Sequence, residues 1–382
     1  MEYDQSKTHQ DLREKVRAFA NDRVKPVATE YDEKEIFSVE LTREMGQLGL
    51  FGLVVPKEYG GQGLDYMALI IAVEELAKVD GSQAGTLAAH NCLGINPIYN
   101  YGTEAQRRTY LPDLCSGKSL WAFGLTEPNA GSDALGAETT AIVKNGEWLV
   151  NGQKTFISNG TSLISGGITL LARTGERNGR AELSAILIPR NAGYEVERIT
   201  GKLMWRASDT GKLFFNDIKV PEANLLGERG KGGKLMLETL DAGRLSIAAM
   251  GLGLAIGAYE ESLAYANKRY QFGKAISSFQ AVAFKLAEMA TKIEAARQLL
   301  YHAVWLKDNG KPFGKEAAMA KLFCSEVATF AATEGSQIHG AYGLVKENLI
   351  ERHFRDQRIL HIGEGTSEIL KLVIARKVGC QL

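Results

Sequence analysis

Phe123-Gly-Leu-Thr-Glu-Pro-Asn-Ala-Gly-Ser-Asp133 decides how this chain folds, because it lies where one hydrophobic period gives way to another. It opens as a strand, turns at Pro128, and ends in small residues. Their backbone amides, with the hydroxyls of Thr126 and Ser132, suit a phosphate held without a lysine. The plainer reading is a Pro-Asn turn at a strand end. N-terminal to this stretch, from about residue 5 to 118, apolar residues recur at helix spacing: Leu12, Val16 and Phe19, then Ile70, Val73 and Leu76, with Gly60-Gly61-Gln62-Gly63 as punctuation. From Leu120 to about Leu226 short β-type runs take over. Ala141-Ile-Val and Trp148-Leu-Val flank Asn145-Gly146, a hairpin signal, and Gly167–Ala172, Leu183–Ile188 and Gly211–Phe215 read as further strands of an antiparallel sheet. After Gly233 long helices return, and Val282, Leu286, Met289, Ile293, Ala296 and Leu300 form the stripe of a bundle helix. The expected architecture is α+β and multidomain: a helical part over 1–118, an antiparallel β part over 119–226 and a helical bundle over 227–382. Ligand clefts are expected where the parts meet.

Composition narrows the function. With 382 residues, 45% of them hydrophobic, the chain can fill a large core. Lys and Arg number 45, as do Asp and Glu, so no overall field favours nucleic acid or an anionic membrane, and neither is an expected partner. The most apolar run, Leu245 to Tyr259, is broken by glycines and ends in acids, so no spanning helix is expected. Met1-Glu-Tyr-Asp-Gln has no basic region followed by an apolar core, which predicts a cytoplasmic protein, the alternative being a processed mitochondrial matrix form. Cys92, Cys115, Cys324 and Cys380 are far apart and show no zinc spacing; reduced thiols and no metal are expected.

Two further stretches carry chemistry. In Lys154-Thr-Phe-Ile-Ser-Asn-Gly160 the two-residue repeat puts Phe156 and Ser158 on one face, an aromatic ring beside a hydroxyl, which suits a flat heteroaromatic ligand if Phe156 is not simply core. In Leu360-His-Ile-Gly-Glu-Gly-Thr-Ser-Glu-Ile369 a single carboxylate, Glu364, stands between two glycines among Leu360, Ile362 and Ile369. Such surroundings raise a carboxyl pKa toward neutrality, as proton abstraction from carbon requires. The plainer reading makes this a loop, with Thr366 capping a last helix and Glu364 solvated. Gly251-Leu-Gly-Leu-Ala-Ile-Gly257 is too long for a dinucleotide fingerprint and sits in a helical pattern, where it reads as close helix packing; no Walker sequence occurs.

Taken together, these residues resemble the acyl-CoA dehydrogenase family over nearly the whole chain, most like its short-chain members. The family's Leu-Thr-Glu-Pro-x-x-Gly-Ser-Asp motif is similar to residues 125–133, its aromatic-Ile-Ser/Thr-Asn strand to 156–159, and its Arg-x-x-Phe-Gly element to Arg269–Gly273 with Gln280 beyond. Its Gln-Ile-x-Gly-x-x-Gly is similar to Gln337–Gly343 and its Glu-Gly-Thr to Glu364–Thr366. The resemblance implies FAD between the β part and the C-terminal four-helix bundle. Thr126 and Ser158 would bond the flavin's polar edge, Phe156 would stack on its ring, and Ser132 would meet the pyrophosphate, with Phe123, Leu125, Gly131 and Ile157 around them. Arg269, Phe272, Gln280, Gln337, Gly340 and Ala341 would reach the dinucleotide across a subunit interface, implying a homotetramer built as a dimer of dimers, and Thr366 and Glu368 would complete the site. For the acyl-CoA substrate the resemblance implies Asp241, Arg244 and Ser132 at the CoA moiety, and Asn91, Gly363 and Gly365 near the acyl group.

Glu364 would be the catalytic base that takes the α-proton of the thioester, while the β-hydride goes to flavin N5 and a trans-2-enoyl-CoA forms. The thioester oxygen would be held by the Glu364 N–H and a ribityl hydroxyl. Relatives that carry the base on the earlier helix have it where this chain has Gly243. An electron-transfer flavoprotein is the implied acceptor. The alternatives are an acyl-CoA oxidase using oxygen, or a catalytically idle CoA-binding subunit. One departure bears on substrate: straight-chain members commonly have Tyr before the base, and this chain has Gly363. That implies a wider pocket for branched or alicyclic acyl groups such as cyclohexanecarboxyl-CoA, unless Phe123, Tyr342 or Leu344 fills the gap and leaves a butyryl-sized site. Ala84, where glutaryl-specific members are expected to have Arg, speaks against glutaryl-CoA.

Overall fold

The computed structural model describes residues 6–177 and 179–381; Met1 to Gln5, on which the expectation about targeting rests, lie outside them. The chain opens with helices α1 (Lys7–Phe19), α2 (Lys25–Lys34), α3 (Val39–Gln47), α4 (Tyr66–Ala77), α5 (Gly81–Ala89), α6 (Asn96–Tyr101) and α7 (Glu104–Cys115). Their starts are set locally: Ser6, Ser38, Asp65, Asp80 and Thr103 each accept a backbone N–H of the first turn they cap. α4 is buried on every side, as its nearly continuous apolar sequence requires of a central helix.

The strands β1 (Leu120–Gly124), β2 (Thr140–Lys144), β3 (Glu147–Ser158), β4 (Ser165–Arg177), β5 (Arg180–Pro189), β6 (Glu195–Arg198), β7 (Thr210–Pro221) and β8 (Leu225–Leu226) form one sheet in the order β6-β7-β3-β2-β4-β5-β8, with β1 beside β4. The β2–β3 hairpin closes over Asn145 and Gly146, both at positive φ, as their sequence predicts. The sheet is antiparallel except where β1 runs parallel to β4, and β2 bridges β4 in parallel at Thr140 and Arg173. β1 arrives from α7 and has no hairpin partner, so it joins the sheet in the direction it enters. Inside the sheet lies a core that includes Trp148, Ile157, Tyr194 and Phe215.

The bundle consists of α8 (Gly232–Lys268), α9 (Gln280–Asp308) and α10 (Gly314–His339), followed by α11 (Leu349–Asp356) and α12 (Ser367–Lys377), with the small hairpin β9 (Tyr270–Gln271) and β10 (Lys274–Ala275) between α8 and α9. The sequence reading underestimated α8, which by length and composition is apolar enough to cross a membrane; its apolar window is almost wholly buried as the central helix of the fold. Its glycines bring neighbours close. A Cβ at Gly251 would stand 2.8 Å from the Cys324 carbonyl of α10, and one at Gly253 2.4 Å from the Glu74 carbonyl of α4. One continuous core therefore joins the N-terminal helices to the bundle.

Candidate active site

Glu364 lies in the turn that joins a short 3-10 segment, Gln357–His361, to α12. The turn is held locally: Gly363 N–H donates to the Ile359 carbonyl at 2.8 Å, and Thr366 caps α12 by accepting the Ile369 N–H at 3.2 Å. Glu364 adopts a left-handed φ of 51° and Gly365 one of 99°, which glycine alone takes easily. Among the described residues the Glu364 N–H donates to no acceptor, and Oε2 is buried without a hydrogen-bond partner. Directly against this oxygen lies Gly243 of α8, where a Cβ would come within 2.2 Å of Oε2 and 3.4 Å of Leu93 Cδ2. Burial pushes the Glu364 carboxyl up to about 7, with Lys321 and Arg244 pulling the other way. The site thus holds a half-buried carboxylate whose inner oxygen is buried and unbonded, poised near neutrality, as a base for a carbon acid requires.

Arg244 follows on α8 and is buried; it donates to Asp241, its Nε has no partner, and its Nη2 lies 3.8 Å from where a Cβ on Gly365 would be. Burial raises the Asp241 pKa, and Arg244 opposes that rise. Asp241 also edges a groove of about 420 Å³ between the sheet and α8, lined by Leu135, Leu183, Gly233 and Leu237. The groove follows α8 from Gly233 to Asp241, which stands one turn before Arg244.

On the sheet, a bulge between Lys154 and Ile157 turns Phe156 to φ 56° and leaves its ring 68% exposed, with Ser158 partly exposed on the same side. The loop after β1 is stitched to this strand. Thr155 N–H donates to the Thr126 carbonyl at 3.0 Å, and buried Lys154 donates to Glu127 at 2.6 Å and to the Leu125 carbonyl at 3.2 Å. Glu127 also accepts the N–H groups of Glu138 at 2.7 Å and Thr139 at 3.1 Å. Burial lowers Lys154 to about 8, an effect that Glu127 opposes, and although burial alone would raise Glu127, Lys154 and the donors hold it low. Gly131 and Ser132 stay exposed, with open space around Gly131. This cradle fits an aromatic ring on Phe156 and an anion at the loop.

The sequence pattern did not single out the Lys154–Glu127 pair. Lys154→Met should leave Glu127 buried without its cation and destabilise the holoprotein by roughly 3 kcal/mol. Urea unfolding measures this; an unchanged midpoint would mean that the pair does not hold the loop.

One expectation needs correction, and the structure places the other expected residues. Asn91 is not free to meet a substrate: its amide donates to the Leu50 and Leu87 carbonyls, and its oxygen accepts the Gly52 N–H. The segment around it is a π-helical turn, His90–Ile95, joining α5 to α6. Phe123 and Leu125 are buried in the core that joins the sheet to the helices, whereas Ile157 is buried in the separate core inside the sheet. Thr366 is engaged as a cap, and Glu368 points outward in the first turn of α12. Arg269, Phe272, Gln280, Gln337, Gly340 and Ala341 are all exposed on the bundle. There Arg269 lies over the Tyr342 ring at 5.9 Å. Lys321, buried on α10 beside the base turn, was also missed; its only sequence signal is its place in the apolar stripe of α10.

Three family models cover the chain: the acyl-CoA dehydrogenase N-terminal domain over residues 6–118, the middle domain over 122–218 and the C-terminal domain over 230–379. The chain belongs to the acyl-CoA dehydrogenase family. A probable acyl-CoA dehydrogenase of Bacillus subtilis is 46% identical over 380 residues, which are 99% of this chain and 100% of the relative. A short-chain-specific acyl-CoA dehydrogenase of Clostridium acetobutylicum is 42% identical over 379 residues, 99% of this chain and 100% of the relative. Among solved structures, butyryl-CoA dehydrogenase from Megasphaera elsdenii superposes with a TM-score of 0.96 at 40% identity, over 99% of this chain and 100% of that one. An acyl-CoA dehydrogenase complexed with FAD from Bacillus anthracis superposes with a TM-score of 0.93 at 36% identity, over 99% of this chain and 68% of that one.

Proposed function

We propose that this acyl-CoA dehydrogenase binds FAD on the Phe156 face and removes the α- and β-hydrogens of a short acyl-CoA, with Glu364 as base. The carrying observation is the Glu364 carboxylate, its Oε2 buried and unbonded over Gly243, raised to about 7. FAD, when bound, supplies the hydride acceptor. Phe156 would stack on its ring, Thr126 and Ser158 would bond its polar edge, and Ser132 with the Gly131 backbone would hold the pyrophosphate. The CoA arm runs along the groove at Asp241, which steers it toward the base. Arg244 stands beside the base turn and Lys321 behind it, so the carboxylate can ionise in a dry site. The free Glu364 N–H holds the thioester oxygen as negative charge develops there, which a weak carbon acid needs. Glu364 then takes the α-proton at its carboxylate.

The acyl group is branched or alicyclic, with cyclohexanecarboxyl-CoA as the example. Gly363 supports this: its φ is not in the left-handed region, and a Cβ there would make only ordinary contact, 3.5 Å from the Ile359 carbonyl. The backbone therefore does not require glycine, and the space in front of it is left to the ligand. Of the side chains able to fill that space, Tyr342 and Leu344 are exposed on the bundle and Phe123 is in the core. Gly363→Tyr should slow reduction by cyclic and branched substrates far more than by butyryl-CoA. Equal losses on both would end the pocket argument.

Tyr270, Phe272, Tyr342 and Leu344 form an exposed apolar surface on the bundle, with Phe272 92% exposed, which supports a homotetramer sharing its cofactor sites across subunits. Domain limits at 118/119 and 226/227, a cytoplasmic location and electron-transfer flavoprotein as acceptor complete the reading. Mixing the yellow protein anaerobically with a panel of saturated acyl-CoAs, from butyryl and isobutyryl to glutaryl and cyclohexanecarboxyl, tests it. Rapid bleaching by a cyclic or branched compound is expected. No bleaching by any of them, with flavin present, would sink the reading.

A further inference from the structure

Lys321 is fully buried on α10, 0% exposed, where an apolar side chain would cost less. Its Nζ donates to the Gly365 carbonyl at 2.7 Å, fixing the Gly365–Thr366 peptide one residue beyond the base. One turn along the helix Ser325 donates to the Leu360 carbonyl at 3.0 Å, and a turn further Thr329 bonds His361 Nε2 at 2.7 Å and the Gln357 side chain at 2.5 Å. His361 in turn bonds Ser367 at 3.2 Å, at the start of α12. Residues 321, 325 and 329 share one face of α10 by helical spacing, so a single polar stripe grips the segment carrying Glu364 along its whole length. The opposite side offers the carboxylate no hydrogen bond, only the bare Cα of Gly243.

We propose that Lys321 is a positioning residue for the base: it anchors the Gly365–Thr366 peptide, next to the base, and supplies the fixed positive charge that lets the Glu364 carboxylate ionise. The inference rests on reading Glu364 as the base. The surrounding charges agree with it. Burial lowers Lys321 to about 8, while Glu364 and Glu368 raise it and Arg244 lowers it. From the N-terminal helices Tyr66 and Cys92 also feel Glu364; burial raises both, Cys92 to about 11, so they stay neutral and add no competing charge.

The test is anaerobic flavin reduction of the holoenzyme by whichever acyl-CoA bleaches the wild type, followed as rate against pH. Lys321→Met should slow reduction by roughly 10²-fold, with a smaller change in half-saturating substrate, because a base displaced by about 1 Å loses that much. Without the cation the carboxylate is harder to ionise, so the acid limb of the profile should move to higher pH. Lys321→Arg, which keeps donor and charge, should recover most of the rate and the original profile. A Met variant with wild-type rate and profile overturns the proposal, as do Met and Arg variants equally slow with unshifted profiles. If the Met variant does not retain FAD, Lys321→Gln decides: it keeps a donor for the Gly365 carbonyl but no charge, and an unshifted profile overturns the proposal. Glu364→Gln, run alongside, separates the two ideas. Wild-type reduction there removes the base assignment itself, whereas an inert Glu364→Gln beside a normal Lys321→Met removes only the role of Lys321.

Discussion

Glu364→Gln should give a folded, yellow protein whose flavin is reduced by acyl-CoA roughly 10³-fold more slowly, the scale on which a positioned general base contributes. Gln is isosteric and keeps the backbone N–H, so flavin and ligand binding should survive while α-proton transfer does not. Stopped-flow bleaching checks this, and reduction at the wild-type rate would mean that another group takes the proton. The pH dependence has a definite sign. With the carboxyl near 7, the wild-type rate should fall as pH drops through that value, because the protonated form accepts no proton. Stability runs the other way. The folded state holds this proton more tightly than the unfolded chain, so the contribution of Glu364 to stability is lost as pH rises from the ordinary carboxyl range through about 7. Above that pH the Gln variant should be at least as stable as the wild type in thermal unfolding.

Gly243→Ala should separate activity from stability even more sharply. In an exposed helix interior the change gains about 1 kcal/mol of helix propensity. Here the new Cβ would stand 2.2 Å from Glu364 Oε2, an impossible contact, while the next neighbour, Leu93 Cδ2, is 3.4 Å away. No backbone atom is in the way, so the helix stays and the end of the Glu364 side chain moves. The expected result is retained FAD, a melting temperature unchanged or raised, and reduction slower by roughly 10²-fold from a misplaced base. An active Ala variant would show that Glu364 reacts from a different rotamer than the one resting on Gly243.

Much of the site was legible because its signals are local. The Asn145-Gly146 turn and the stripe of α9 each follow from neighbours a few residues apart, and each appears as expected, whereas the exposure of Phe156 comes from a bulge that alternation does not predict. Asn91 was misread because a π-helical turn, invisible in residue type, aims its amide into the backbone of the preceding segments. The parallel placement of β1 was missed because strand direction depends on the path of entry and not on composition. Lys321 and the Lys154–Glu127 pair escaped notice because a buried lysine reads like any other until its partner, distant in sequence, is known.

By itself the sequence determined the order of helical and β parts, the family, and the identity of the carboxylate between its glycines, since periodicity and short motifs need no distant contact. Only the tertiary structure decided that Gly243 leaves room for that carboxylate, that α10 grips its turn, and that burial lifts it to about 7. Desolvation and close approach depend on which segments meet, and these meet across more than a hundred residues of chain, from α8 to the turn before α12.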